Sequence, residues 1–271
     1  MQRGWSLLFL IVPVGCGVVY LLAALGIPPL DKFWLPPNYN QTGASIDRLF
    51  GLTHVVAAVV LFGTMGALSW FCWAGSLRER TSSLVAHHTA LEVVWSLIPA
   101  AILIGLAVYQ FQSWNENKLY YPQWERDGQV GPKPPQVKVV AKRFGWEFYY
   151  AGPDGLLNTF DDVFIENLLV VPTGEDVVLY VESRDVVHSF FVPGLRIKQD
   201  VVPGLGQYLW FRAQQAVELE IVCAELCGWG HTNMQARLRL VPRAEFDRWI
   251  DEQILQHRAG QAARLSQGSS E

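Results

Sequence analysis

The sequence is poor in charge, in cysteine and in the short motifs of soluble catalysis, and each shortage removes a class of function. Only 17% of its 271 residues are charged and the net charge is -4, so no basic stripe is available to neutralise a phosphate backbone. Nucleic acid is therefore not an expected partner. No Cys-x-x-Cys-His occurs, which excludes covalently attached haem c, and no Cys-x-x-Cys, which excludes a thioredoxin-like dithiol. The four cysteines make no disulfide framework: Cys16 and Cys72 stand in apolar runs, Cys223 and Cys227 in one short loop. There is no internal repeat, and no nucleophile stands beside a base in a pattern that suggests hydrolysis.

What is present is a cluster of soft ligands near the C-terminal end, Cys223-Ala-Glu225-Leu-Cys227-Gly-Trp229-Gly-His231-Thr-Asn-Met234. It has one upstream partner, His188, in Asp185-Val-Val-His188-Ser-Phe-Phe-Val-Pro193. Thiolates, imidazoles and a thioether together favour copper or zinc over magnesium or calcium. Methionine is a poor zinc ligand, so Met234 argues for copper. A mononuclear blue-copper centre needs one thiolate, two imidazoles and a weak axial methionine. The second thiolate suggests two metal ions bridged by two sulfurs. The competing reading, a disulfide between Cys223 and Cys227, leaves His188, His231 and Met234 without a reason.

These residues resemble subunit II of the haem-copper cytochrome c oxidases, the subunit that carries the binuclear Cu-A centre. The likeness rests on His188-Ser-Phe-Phe-Val-Pro-Gly-Leu-Arg-Ile-Lys198-Gln-Asp200, then Pro203-Gly204, Trp210-Phe211 and Cys-Ala-Glu-Leu-Cys-Gly-x-x-His-x-x-Met, and it covers about residues 45 to 250. The resemblance implies that Cys223 and Cys227 bridge two coppers while His188 and His231 each cap one. Met234 is implied as a weak ligand to one copper and the Glu225 backbone carbonyl to the other. The Glu225 carboxylate is further implied to reach a magnesium or manganese ion at the boundary with subunit I. The implied activity is transfer of electrons from cytochrome c to subunit I, which reduces oxygen to water and pumps protons. Rival readings are the Cu-A subunit of a nitric oxide reductase and a membrane-tethered copper-binding or copper-delivery protein.

The sequence departs from the family pattern in places. Where the family has Gln-Trp-x-Trp, this chain has Arg143-Phe144-Gly145-Trp146, so the aromatic that commonly receives the electron is Phe144. Trp146 is kept as the candidate for accepting electrons. Ile221-Val222 replaces Gly-Gln before the first ligand cysteine, and Leu205 replaces an arginine. None of these changes removes a copper ligand.

Apolar runs set the membrane topology. Residues 1–27 read as an N-terminal transmembrane helix or a signal segment, and 45–112 as a transmembrane helical hairpin with spans at Leu52 to Trp73 and Leu91 to Phe111. Arg78, Arg80, His87 and His88 lie between the spans, so the positive-inside rule places that loop in the cytoplasm and the remainder outside. The expected location is a bacterial inner membrane, with the copper domain in the periplasm. Glu92 opens the second span, and Glu92-Val-Val-Trp95-Ser-Leu-Ile-Pro99 resembles the family helix whose glutamate stands at the cytoplasmic mouth of a proton path into subunit I. The competing reading is a helix-start carboxylate that complements the dipole.

Residues 113–135 read as a linker. Short strand-like segments follow at 137–150, 163–171, 177–182, 187–192, 207–212 and 217–223, divided by Gly, Pro, Asp and Asn turns. The fold expected is a membrane-anchored all-β protein: the helical hairpin and N-terminal helix, then a Greek-key β-barrel over 136–245, which the resemblance names as cupredoxin-like. A C-terminal helix and tail occupy 246–271, with fraying expected from about 259. The acidic turn from Asp154 to Asp162 lacks the ligand alternation of an EF-hand, which favours a solvated turn over calcium. Asp185, with Asp161 or Asp162, is a candidate for steering a basic cytochrome c.

Overall fold

The computed structural model describes residues 2–77, 87–126 and 129–268. They form two compact units, Met1–Pro36 with Ser45–Asn115, and Pro37–Ala44 with Glu116–Glu271.

The first unit is helical. α1 (Gln2–Ala24), α2 (Gly43–Ser76) and α3 (Thr89–Trp114) supply three stretches long and apolar enough to cross a membrane. α2 has 34 residues, about 51 Å at 1.5 Å per residue, and so exceeds a hydrocarbon core of about 30 Å. It begins well before Leu52 because Gly43 to Gly51, despite Asp47 and Arg48, continues the helix. Small polar residues bring α1 against α2: Ser6 Oγ donates to the Ser69 carbonyl at 2.9 Å, and Ser69 Oγ donates back to the Ser6 carbonyl at 2.9 Å. No residue of α3 is buried, which leaves its apolar side chains for lipid or partner helices. Arg78 and Arg80 of the expected cytoplasmic loop lie outside the described residues.

The second unit is built from strands. β1 (Gln123–Arg126) and β2 (Gln129–Pro132) pair as a hairpin inside the stretch expected to be a linker. Ten further strands follow: β3 (Val137–Lys142), β4 (Gly145–Tyr150), β5 (Val163–Glu166), β6 (Leu168–Pro172), β7 (Asp176–Ser183), β8 (His188–Val192), β9 (Ile197–Val201), β10 (Gln207–Arg212), β11 (Val217–Cys223) and β12 (Gln235–Val241). They make two five-stranded sheets, in the orders β10-β7-β3-β4-β5 and β6-β12-β11-β8-β9. Trp146, Phe148, Phe190, Phe211, Leu179 and Leu238 pack between them at full burial.

β9 has no expected counterpart because its Lys198-Gln-Asp200 centre is polar, as suits an edge strand. The stretch ahead of α2 also belongs to this unit. Tyr39 N–H donates to the Gly194 carbonyl and Gln214 N–H to that of Tyr39, while Asn40, 2% exposed, donates to the Leu195 carbonyl at 3.0 Å. α4 (Arg243–Gly268) lays Phe246, Trp249, Ile250 and Ile254 on the core at helical spacing. Its helix runs past the point where fraying is expected, to Gly268.

Candidate metal centre

Three strands deliver the candidate ligand residues to one end of a sheet. β8 pairs antiparallel with β11, and β11 with β12, so the first residue of β8, the last of β11 and the residue before β12 meet at the same edge. These are His188, Cys223 and Met234. The ladder closes around them: Cys223 N–H donates to the Met234 carbonyl at 3.2 Å and Ala224 N–H to the Ser189 carbonyl at 3.0 Å. The intervening loop bends through Gly228, at φ +139°, and ends in a turn at His231–Asn233 in which Met234 N–H donates to the His231 carbonyl. Gly230 is required by contact, since a Cβ there would lie 2.6 Å from the Phe144 ring.

The donor atoms form a string. His188 Nδ1 lies 3.8 Å from Cys223 Sγ, Cys223 Sγ lies 3.9 Å from Cys227 Sγ, and Cys227 Sγ lies 3.6 Å from His231 Nδ1. Met234 Sδ is 3.8 Å from Cys227 Sγ, and the Glu225 carbonyl oxygen is 3.2 Å from Cys223 Sγ. Both cysteines are free thiols; their 3.9 Å separation is nearly double a disulfide bond of about 2.05 Å. His188, Cys223 and Cys227 have donor atoms all within 4.8 Å of one another, and His231 falls outside that group. Among the described residues no other such group occurs. His188 and Met234 are fully buried, and Cys223 and Cys227 nearly so.

Burial, reinforced by the neighbouring Cys223 sulfur, pushes the Cys227 thiol up to about 11. Without metal, Cys227 therefore keeps its proton near neutral pH. A cation that displaces it supplies the charge that makes a thiolate stable there.

Asp185 supports the string from behind. Its Oδ1 accepts from His188 Nε2 at 2.8 Å and from Val186 N–H at 2.7 Å, and its Oδ2 accepts from Arg143 N–H at 2.8 Å. Partial burial alone would raise this carboxyl, but the three bonds outweigh it and hold Asp185 below the ordinary carboxylate range. The bond to Nε2 fixes the ring so that Nδ1 faces sulfur. Asp185 remains exposed and ionised, so this bracing role stands beside the expected steering role. Arg143 also ties the loop from its side chain, Nε donating to the Cys227 carbonyl at 3.1 Å. The β3–β4 turn that bears Arg143 is itself braced by Glu147, which takes Lys142 Nζ at 2.8 Å and Arg184 Nη1 at 3.2 Å.

The other sequence candidates are placed as follows. Trp146 has no exposed surface; it packs edge-on 6.4 Å from the His188 ring and 5.5 Å from Phe190. Direct contact with an electron donor at Trp146 is therefore ruled out by burial. The Glu225 side chain is exposed and only its carbonyl turns toward the sulfurs. Glu92 accepts from His88 N–H at 3.2 Å in the first turn of α3, the geometry of a helix-start cap. The acidic turn satisfies its carboxylates internally: Asp154 accepts from Leu156 N–H at 2.8 Å, Asp161 from Thr159 Oγ1 at 2.7 Å and Asp162 from Asn158 N–H at 2.8 Å. That arrangement is a self-bonded turn.

Residues 153–241 match the family model described as "Cytochrome C oxidase subunit II, periplasmic domain", and residues 39–113 match "Cytochrome C oxidase subunit II, transmembrane domain". The cytochrome c oxidase subunit 2 of Alkalihalophilus pseudofirmus is 34% identical over 251 residues, covering 91% of this chain and 69% of the relative. The alternative cytochrome c oxidase subunit 2 of Bradyrhizobium diazoefficiens is 31% identical over 266 residues, covering 87% and 91%. The crystal structure of the periplasmic domain of subunit II of cytochrome oxidase of Bradyrhizobium japonicum shares 25% identity, with a TM-score of 0.41, over 48% of this chain and 99% of that one. The His, Cys and Cys group within a domain of this kind fits a copper site.

Proposed function

Because the chain belongs to the cytochrome c oxidase subunit II family, we propose that it holds a binuclear Cu-A centre and relays electrons through it, one at a time, from cytochrome c to a haem-copper subunit I. As a family member it is a membrane-anchored subunit of an oxidoreductase complex, with its β domain outside. The nitric oxide reductase and copper-delivery readings are not favoured, since the relatives matched are oxidase subunits. The observation that carries the proposal is the elongated donor set. One tetrahedral ion needs its ligands gathered around a point, whereas here two imidazoles stand at opposite ends of a pair of free thiols 3.9 Å apart.

In this reading Cys223, Cys227, His188 and His231 would hold the two coppers, with Met234 and the Glu225 carbonyl as weaker donors. A sulfur-bridged copper pair supplies reversible one-electron chemistry spread over two ions. The protein's own share is to fix the ligands before metal arrives. Asp185 sets the His188 ring, Arg143 and Phe144 hold the loop, and the buried shell keeps water away. The Glu225 carboxylate, exposed beside the site, is the candidate for magnesium or manganese at the boundary with subunit I. Glu92, in the first turn of α3, is the candidate for the mouth of a proton path, in addition to its capping bond. The complex would then sit in a bacterial inner membrane with this domain in the periplasm, reducing oxygen to water and pumping protons in subunit I.

Electron paramagnetic resonance of the copper-loaded full chain in detergent tests the proposal. The expected spectrum is that of one unpaired electron shared by two copper nuclei, at two coppers per chain. A spectrum of a single copper nucleus, or zinc as the metal retained on purification, refutes it.

A further inference from the structure

One residue of the ligand loop is left without a role by all of the above. Trp229 lies two positions from Cys227 and two from His231, and it is 92% exposed, more than any other large apolar side chain among the described residues. Leu226, next to Cys227, is 78% exposed, and Val187, next to His188, is 37% exposed. A single exposed apolar side chain is ordinary. Here two of them adjoin ligand residues of one site and the third stands two positions from two of them.

The indole is held in place. Phe144 packs edge-on to Trp229 with ring centroids 5.2 Å apart, and the same phenyl ring lies under Gly228 and Gly230, where added Cβ atoms would stand 3.2 and 2.6 Å from it. The Arg143 guanidinium bonds the Cys227 carbonyl beside it. The exposed ring thus sits on a fixed base and is joined through Gly228 to Cys227 and through Gly230 to His231.

We propose that Trp229, with Leu226 on the same loop, is the contact at which the electron donor docks and from which the electron passes into the ligand loop. The inference rests on the relay reading above. The occupant it commits to is a soluble c-type haem protein presenting an apolar, partly exposed haem edge. Two observations select that partner. The patch is made by the ligand loop itself, so its position matters most to a molecule that exchanges electrons with the ligands. Glu225, next to Leu226, and Arg143, whose guanidinium bonds the Cys227 carbonyl, are exposed charges of opposite sign at the loop, so apolar contact rather than net charge attracts the partner. In the step, one electron leaves the ferrous haem of the donor, which becomes ferric, and the site between Cys223 and Cys227 is reduced by one electron. No proton moves and no covalent bond changes.

The test uses the intact oxidase complex carrying W229A, W229F or L226A. Binding is measured with zinc-porphyrin-substituted cytochrome c, which docks without passing an electron from a ferrous haem. Removing an aromatic anchor from a docking centre is expected to weaken binding by about 30-fold for W229A, and by about fivefold for L226A, with W229F within about threefold of the unmodified complex. Equal affinity in all four proteins overturns the proposal, as does release of the haem-bearing subunit by W229A with donor affinity unchanged, which would make the patch an assembly contact. Reduction of the unmodified complex by hexaammineruthenium(II), a donor too small to need the patch, reports on the metal site separately. If that reduction fails, the relay reading fails; if it proceeds while the variants bind cytochrome c normally, only the role of Trp229 fails.

Discussion

Replacing Asp185 by alanine is the sharpest probe of how the metal site is held. The carboxylate accepts three bonds, from His188 Nε2, Val186 N–H and Arg143 N–H, at 2.7 to 2.8 Å. The two amides belong to exposed or half-exposed residues and can turn to water. His188 is fully buried, and its Nε2–H cannot. The loss is therefore dominated by one charge-assisted bond to a buried donor, about 1.5 to 3 kcal/mol. At about 1.4 kcal/mol per factor of ten, that corresponds to a copper affinity lower by about 10- to 100-fold, the range seen when an outer partner of a ligating histidine is removed. D185N keeps one acceptor for His188 but sets its amide N–H against that of Arg143, so it should fall between D185A and the unmodified chain. Removing the negative charge also raises the reduction potential of the site. Chelator competition on the full chain measures the affinity, and redox titration of the copper absorption bands measures the potential. A copper affinity for D185A within twofold of the unmodified chain would refute the argument that Asp185 orients His188.

Two further outcomes follow from the geometry of the loop. With Cys227 raised to about 11 against a reference of 9.0, its thiolate fraction near pH 8 in the metal-free chain is lower by about 100-fold, and iodoacetamide should label it that much more slowly than an unfolded-peptide cysteine. The labelling rate should climb about tenfold per pH unit until pH approaches the thiol's own value; mass spectrometry of the labelled peptide follows it, and peptide-like labelling at pH 8 would contradict the burial argument. Gly230→Ala places a Cβ 2.6 Å from the Phe144 ring, which should cost about 1 to 3 kcal/mol of stability by overpacking. The same change in an F144A background should cost much less. Thermal unfolding of the two pairs checks this, and equal losses in both backgrounds would show that Phe144 is not the obstacle.

Much of the protein was legible without coordinates because the signals are local. Long apolar runs identify membrane helices through the cost of unpaired backbone in lipid, and α1, α2 and α3 fall where the runs are. The strand segments were readable for the same reason, since alternation such as Val217-Glu-Leu-Glu-Ile-Val222 is a property of neighbours in sequence. β9 and the β1–β2 hairpin were not readable, because their residues are polar and are held mainly by pairing. The segment Pro37–Ala44 was silent for a related reason: it joins the β unit largely through backbone bonds, which leave no mark on residue type.

The candidate ligands could be picked out from the chain alone, since softness belongs to the side chain whatever surrounds it. Which carboxylate and which aromatic serve them was decided only by folding. Asp185 reads in sequence as a surface acid, and becomes the brace of His188 because the β3–β4 turn brings the Arg143 amide to its other oxygen. Trp146 and Trp229 are the same residue type, yet one lies at full burial between the sheets and the other at 92% exposure on the loop. Burial is a sum over contacts from strands distant in sequence, and no local pattern contains that sum.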